Sequence, residues 1–379
     1  MVNNRLIPLS LYVHVPWCVQ KCPYCDFNSH AVKEELPETA YIAELCKELT
    51  QKIPLIEDRP IQSLFIGGGT PSLFSAKSYA RLFDFLKQHA TLLPDAEITL
   101  EANPGTAEQQ RFLDYRAVGM NRLSIGIQSL HNDKLKALGR IHDGGQAQKA
   151  IEMAFTAGFT NFNVDLMFGL PNQTIEDAQQ DLTSVIALKP PHLSWYQLTL
   201  EPNTLFHKFP PKLPDDDYLW QMQNEGIAQL AQHGYQRYEV SAYCQTGHES
   251  RHNLNYWLFG DYLGIGAGAH SKITHKDQTI SRHSNIKHPK LYTQSIDKIT
   301  EQRVLNPQEL PLEFMLNSLR LEQPVDLRLF EARTGLLSAS IQKTLQQGVL
   351  AGFMRLEGHC ISLTVQGKNF LNDAISLFI

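Results

Sequence analysis

Three cysteines, Cys18, Cys22 and Cys25, stand in the run Trp17-Cys-Val-Gln-Lys-Cys-Pro-Tyr-Cys-Asp-Phe27, at C-x3-C-x2-C spacing. Thiolates hold soft metals, and their number decides which chemistry is open to them. A structural zinc site closes with four protein ligands, and an electron-transfer iron–sulfur cluster uses four thiolates. A 4Fe-4S cube held by three leaves one iron free to take a substrate, so the triplet points to a catalytic cluster. Two alternatives remain from the residues alone: a zinc ion completed by His14 or His30, and a disulfide. Cysteines this close in an intracellular-looking chain more often serve metal or catalysis than a disulfide.

A second set of candidates interrupts apolar runs with polar groups: Gly67-Gly-Gly-Thr-Pro71, Glu101-Ala-Asn-Pro-Gly105, Gln128-Ser129, Asp165 within Asn163-Val-Asp-Leu-Met-Phe-Gly169, and Arg140. A carboxylate inside an apolar strand costs several kcal/mol unless it is paired. The bland account is an ion pair with Arg122 or Arg140, and the triple glycine by itself is compatible with a tight βα turn. Taken together, two carboxylates, an amide and Arg140 suit an amino acid and a ribose. The guanidinium forks onto a carboxylate, and the acidic groups take an ammonium or hydroxyls.

The elements that must position these groups are repeated βα units. Strand-like runs at Leu9–Val15, Ile61–Ile66, Glu97–Ala102, Arg122–Ile127, Asn161–Met167 and Leu193–Leu198 alternate with amphipathic stretches at Tyr41–Lys52, Ser75–His89, Ala107–Val118, Asp133–Leu138, Gln146–Ala157 and Thr174–Leu188. This alternation predicts an α/β fold with a parallel sheet, an open, partial (β/α)6 barrel. Functional groups in such sheets collect beyond the C-terminal ends of the strands. Nearly every candidate above falls there.

The division expected is 1–205 for the barrel, 206–309 for a linking region, and 310–379 for a compact tail. The linking region reads as a helix from the acidic Pro214–Asp217 start to about His233, a strand at Gln236–Ala242, and irregular loops carrying Arg251–Trp257 and Gly264–His270. The tail reads as helices at Glu313–Leu321, Asp326–Ala332 and Ser338–Gln347, a hairpin over Phe353–Leu363 turning at Glu357-Gly358, and a last helix at Val365–Leu377. That order is winged-helix-like and α+β. Between Glu313 and Ile379 there are six Lys or Arg and six Asp or Glu, a balance that makes a poor phosphate clamp and favours a cap or a protein-docking surface.

At 379 residues the chain exceeds what one core usually holds, consistent with a large domain and a smaller one. Its net charge of −5 gives no basic footprint for nucleic acid. No run approaches the roughly 20 apolar residues of a membrane span, and no signal segment is evident, so a cytoplasmic location is expected. Cys46, Cys244 and Cys360 read as ordinary thiols.

The three-cysteine motif with Tyr24 before its last cysteine, followed by Gly67–Thr70, resembles the radical S-adenosylmethionine enzymes. That resemblance implies a partial (β/α)6 barrel with Cys18, Cys22 and Cys25 holding a 4Fe-4S cluster. It also implies Tyr12, Gly68, Gly69, Thr70, Glu101, Gln128, Arg140 and Asp165 around S-adenosylmethionine. In that family the amino acid moiety chelates the open iron, an electron from the cluster cleaves the sulfonium, and the resulting radical abstracts hydrogen. The phrases His14-Val-Pro-Trp-Cys18, Cys22-Pro-Tyr-Cys25, Gly67–Pro71, Glu101–Gly105 and Gly139-Arg-Ile-His142 narrow it to the branch holding oxygen-independent coproporphyrinogen dehydrogenase and its haem-chaperone relatives.

Two departures favour the chaperones. The dehydrogenase continues to C-x3-C-x2-C-x-C, where this chain has Phe27, and it carries a longer N-terminal extension. A third sign is His252-Asn-Leu-Asn-Tyr-Trp257, similar to an H-N-x-x-Y-W motif of the chaperones. It implies haem as cargo with His252 as a candidate ligand, beside the flat surfaces of Tyr256 and Trp257. His270 is a second candidate. The resemblance further implies apo-haem proteins of the respiratory chain as recipients, peripheral membrane contact, and a possible homodimer. The competing expectation is oxidative decarboxylation of coproporphyrinogen III.

Overall fold

In the first six long strands of the sheet, side chains alternate between an apolar outer face and a largely polar inner one. The structure, a computed structural model, describes residues 7–33, 35–105 and 108–379. Its first six long strands are β1 (Leu9–Val15), β2 (Ile61–Gly68), β3 (Leu92–Ala102), β4 (Arg122–Gln128), β5 (Phe162–Phe168) and β6 (His192–Gln197). They pair in parallel in chain order. Leu9, Leu11, Val13 and Val15 of β1 enter the main core under the helices. The intervening Ser10, Tyr12 and His14 stand level with Ser63, Phe65 and Gly67 of β2. The same inner face continues through Glu97, Thr99 and Glu101, Arg122 and Ser124, Asn163 and Asp165, and His192 and Ser194. An interior lined this way is a site and not only a core.

The expected helices follow: α1 (Glu38–Lys52), α2 (Ala76–His89), α3 (Glu108–Ala117), α4 (Asn132–Ala137), α5 (Gly144–Thr156) and α6 (Ile175–Ala187). The expected start of the third at Ala107 lies outside the described residues. Local chemistry fixes the starts. Ser75 caps α2, and Asp143 with Gln146 and Thr174 with Asp177 form capping boxes on α5 and α6.

The middle of the chain corrects the irregular-loop expectation. After α7 (Asp216–Gln232), the single strand expected at Gln236–Ala242 is two, β7 (Gln236–Glu239) and β8 (Ala242–Cys244), antiparallel to each other. Arg251–Trp257 forms a helix, α8. Ser250 Oγ accepts from Asn253 N, and the Glu97 carboxylate on β3 accepts the Arg251 and His252 N–H groups at 3.1 and 3.0 Å. A carboxylate at a helix N-terminus satisfies orphan donors and the helix dipole together. The glycine-rich run begins inside β9 (Asp261–Ile265), which pairs in parallel with β1. Then β10 (His270–Thr274), β11 (Ile280–Asn285) and β12 (Ile299–Val304) continue antiparallel. Among the described residues the result is one 12-stranded sheet, ordered β12-β11-β10-β9-β1-β2-β3-β4-β5-β6-β8-β7.

The tail has a separate core. α9 (Leu310–Ser318), α10 (Leu327–Thr334) and α11 (Gln342–Leu350) pack with a small sheet of β13 (Val325–Asp326), β14 (Met354–Glu357) and β15 (Cys360–Leu363). The single last helix expected is two, broken at Phe370. Phe259 and Ile280, from the sheet extension, join this second core and seat the tail on the barrel.

Candidate functional site

The cysteines lie in the loop after β1. Trp17–Cys18 pairs with His30–Ala31 and closes that loop. Cys25 N–H donates to Cys22 O at 3.1 Å, and Val32 N–H to Cys18 O at 2.8 Å. The Trp17 ring wedges against Tyr41 and Phe74, with centroids 4.7 and 5.8 Å away. All three cysteines are free and partly buried. Burial raises the Cys18 thiol, with hydrogen bonds from Thr70 and Ser29 opposing, and burial likewise raises Cys25. Metal binding therefore displaces protons here.

The histidines of the zinc alternative are committed elsewhere. His14 Nε2 donates to Asn28 O at 2.9 Å and its Nδ1 accepts from Tyr12 OH at 3.0 Å. His30 Nε2 meets Asn28 Oδ1 at 3.3 Å, and its ring lies edge-on to His288. Three soft thiols with no fourth protein ligand beside them among the described residues fit an iron–sulfur cube with one open iron.

The cysteines open onto a cavity of about 590 Å³ inside the barrel, which Tyr12, Gly68, Gly69, Thr70, Glu101, Gln128, Arg140 and Asp165 also line. The structure thus brings every residue of the expected S-adenosylmethionine set to one place. Gly68 has φ +116°, where a side chain is strained, and a Cβ on Gly69 would come within 2.5 Å of the Trp17 backbone. The triple glycine is what lets the cysteine loop lie on β2. Gly68 N–H donates to Glu101 Oε2 at 2.9 Å. Burial, reinforced by the Asp165 charge and opposed by that N–H, lifts the Glu101 carboxyl to about 7. Burial also raises Asp165, against hydrogen bonds that include Asn163 Nδ2 at 2.7 Å.

Arg140 Nη2 donates to Asn103 Oδ1 at 2.7 Å and to Gly126 O at 2.6 Å, and Nη1 lies 3.7 Å from Cys22 Sγ. Its Nε is buried without a partner. Asn103 Nδ2 in turn donates to Thr70 Oγ1 at 2.9 Å. Gln128 sits at φ +68°, and its Oε1 accepts from Tyr196 OH at 2.9 Å. A non-glycine residue held in that region is a strain typical of functional sites. Among the described residues neither carboxyl forms an ion pair: Arg122 lies 3.9 Å from Glu97 and reaches Asp165 only through its charge, and Arg140 is held by Asn103 and Gly126. Two half-buried acids and a guanidinium with no carboxylate partner among the described residues can receive a ligand bearing both an ammonium and a carboxylate. Tyr196 and Arg122 were not singled out as site residues from sequence. Their signal was the inward phase of each strand.

His252 also borders this cavity, but as a closed group. Its Nδ1 lies 3.1 Å from Ser63 Oγ and its Nε2 2.8 Å from Tyr256 OH, and the ring stacks on Phe65 at 5.0 Å. It is 1% exposed, and burial, aided by the Arg122 charge, lowers its pKa to about 3. Ligation of iron by His252 requires its hydrogen bond to Ser63 or to Tyr256 to break. A second cavity, of about 750 Å³, adjoins the first at Tyr12, Cys25, Gly68 and Tyr256. It is walled by Phe27, Trp257, Tyr262 and His270 among others.

Residues 12–185 match the radical SAM superfamily, and residues 305–370 match the HemN C-terminal domain. The solved structure of coproporphyrinogen III oxidase (HemN) from Escherichia coli superposes with a TM-score of 0.84 at 26% identity, covering 99% of this chain and 90% of that one. Fold and site together define a radical SAM protein. The chain is 48% identical over 379 residues to heme chaperone HemW of Haemophilus influenzae, covering 99% of both. It is 48% identical to the Escherichia coli protein of that name over 375 residues, and 31% to that of Bacillus subtilis over 383. The chain belongs to the radical SAM superfamily and, within it, to the HemW family. Membership in the superfamily carries a 4Fe-4S cluster and S-adenosylmethionine as cofactors. No helix among the described residues is long and apolar enough to cross a membrane.

Proposed function

We propose that this protein is a cytoplasmic haem chaperone, binding haem and passing it to apo-haem proteins, those of the respiratory chain among them. The observation that carries this reading is the end-to-end identity of 48% with heme chaperone HemW of Haemophilus influenzae. Phe27 supports it, standing where the dehydrogenase motif continues to a fourth cysteine. When bound, the cluster supplies an electron to the sulfonium of S-adenosylmethionine. Cys18, Cys22 and Cys25 hold the cluster. Arg140 takes the ligand's carboxylate, Glu101 and Asp165 its ammonium and hydroxyls, and Tyr12, Gly68, Gly69, Thr70 and Gln128 complete the seat.

Residues 1–205 carry this scaffold, 206–309 form the linking region whose Tyr256, Trp257 and His270 wall the second cavity together with residues of the barrel, and 310–379 dock partners. The exposed Leu337, Leu350 and Val365 of the tail suit peripheral contact with a membrane or with a second copy of the chain. Purified, reconstituted protein loaded with haem should transfer it to an apo-haem protein, with a dependence on S-adenosylmethionine and reductant. Retention of haem under all conditions refutes the chaperone.

Similarity to the HemN structure favours a second reading, oxidative decarboxylation of coproporphyrinogen III. Anaerobic formation of protoporphyrinogen with reductant and S-adenosylmethionine would establish it, and its absence removes it.

A further inference from the structure

The motif histidine and the cavity histidine differ in what they have left to offer. Both nitrogens of His252 are already hydrogen-bonded inside the barrel wall. His270, the first residue of β10, is exposed, and among the described residues no group hydrogen-bonds its ring. Burial, joined by the Lys287 and Arg282 charges and opposed by Glu301, lowers its pKa and so favours the neutral imidazole that can ligate a metal. Such a nitrogen is a ready axial ligand for haem iron.

Its surroundings match the rest of a porphyrin. Pairing of Tyr262 with Lys272, of Lys272 with Arg282 and of His270 with Ser284 places Tyr262, His270 and Arg282 on one face of the sheet. Across the cavity stands Phe27 of the cysteine loop, 60% exposed. The volume of about 750 Å³ lies within the range of small-molecule sites. Among the cations, Lys21 donates to Phe27 O at 2.9 Å, Lys272 is spent on Asp261 at 2.9 Å, and Arg282 on Tyr262 OH and Glu313. Lys287 is exposed at the same cavity with no ion pair among the described residues, and is open to a carboxylate.

The cysteine loop is built into this seat. Asn28 Nδ2 donates to Ala267 O and to Lys287 O, each at 2.9 Å. A Cβ on Gly268, which has φ +80°, would come within 2.4 Å of that amide nitrogen. Whatever orders the loop around Cys25 therefore orders the turn that presents His270.

Building on the haem-chaperone reading, we propose that this second cavity seats the haem, with His270 and not His252 as the iron's imidazole ligand and Lys287 facing a propionate. The test is titration of the full-length, cluster-reconstituted protein with ferric haem, read by Soret position and electron paramagnetic resonance, for the wild type, His270→Ala, His252→Ala and Lys287→Glu. His270→Ala should shift the Soret band and weaken binding by about tenfold or more, with iron–sulfur absorption unchanged, and added imidazole should restore the wild-type spectrum. His252→Ala should keep the wild-type Soret position. Lys287→Glu should weaken binding without moving the band. Wild-type spectra and affinity in His270→Ala, or loss of the band in His252→Ala alone, overturn the assignment while leaving the chaperone reading intact. A wild-type protein that binds no haem overturns both.

Discussion

Glu101→Gln isolates one titration on the inner face of the barrel. The carboxyl is half-buried on the barrel's inner face, and its pKa of about 7 stands against an ordinary 4.5. The native state therefore holds this proton more tightly than the unfolded chain does. Between pH 4.5 and 7 the unfolded chain has released it and the native state has not, so stability falls as pH rises through that window and levels off above it. About 2.5 pH units at 1.36 kcal/mol each amount to roughly 3 kcal/mol. Glutamine keeps the shape and an oxygen for the Gly68 N–H, but has no charge to bury. The variant should gain on the wild type by about 3 kcal/mol between pH 4.5 and pH 8, or roughly 4 °C in Tm for a chain of this size. Thermal melting of ligand-free protein across that range measures it, and taking the difference cancels titrations common to both proteins. With S-adenosylmethionine present the sign reverses, because the variant has lost an anionic partner for the ligand. A difference between variant and wild type that does not change with pH would refute the assignment of a buried, proton-holding carboxyl.

Arg140→Ala should weaken S-adenosylmethionine binding by about 1.5–3 kcal/mol, as expected for a charge-assisted pair, measured by calorimetry on reconstituted protein. Gly268→Ala, by pushing on Asn28, should lower the iron retained at Cys18, Cys22 and Cys25 after reconstitution, whereas Gly234→Ala, where no atom lies within 4 Å of the new Cβ, should not. Tyr256→Phe leaves the His252 Nε2 without its partner inside the wall and should cost about 1–3 kcal/mol in denaturant unfolding. Cys22→Ala should abolish 4Fe-4S absorption while leaving the far-ultraviolet circular dichroism unchanged.

The six βα units and the cysteine triplet were legible in the sequence because their causes are local. Outward Leu and Val alternate with inward polar residues along β1, and Ser75, Asp143 and Thr174 cap the helices that follow. The positions of Glu101, Gln128, Arg140 and Asp165 were legible for the same reason: each is a polar residue where the period demands either an inner face or a strand end. The region after α7 was opaque because its order is imposed from afar. α8 is started by the Glu97 carboxylate, 155 residues away along the chain from His252, and β9 exists because β1 offers it an edge. No window of sequence contains both partners.

The same division holds for the histidines. Residue types and spacing determined that three thiols sit at the mouth of a polar barrel, since cysteine count and strand phase are properties of the chain itself. Only the tertiary structure decided that His252 is spent on Ser63 and Tyr256 while His270 stays free. Whether an imidazole's lone pair is available depends on what has folded against it.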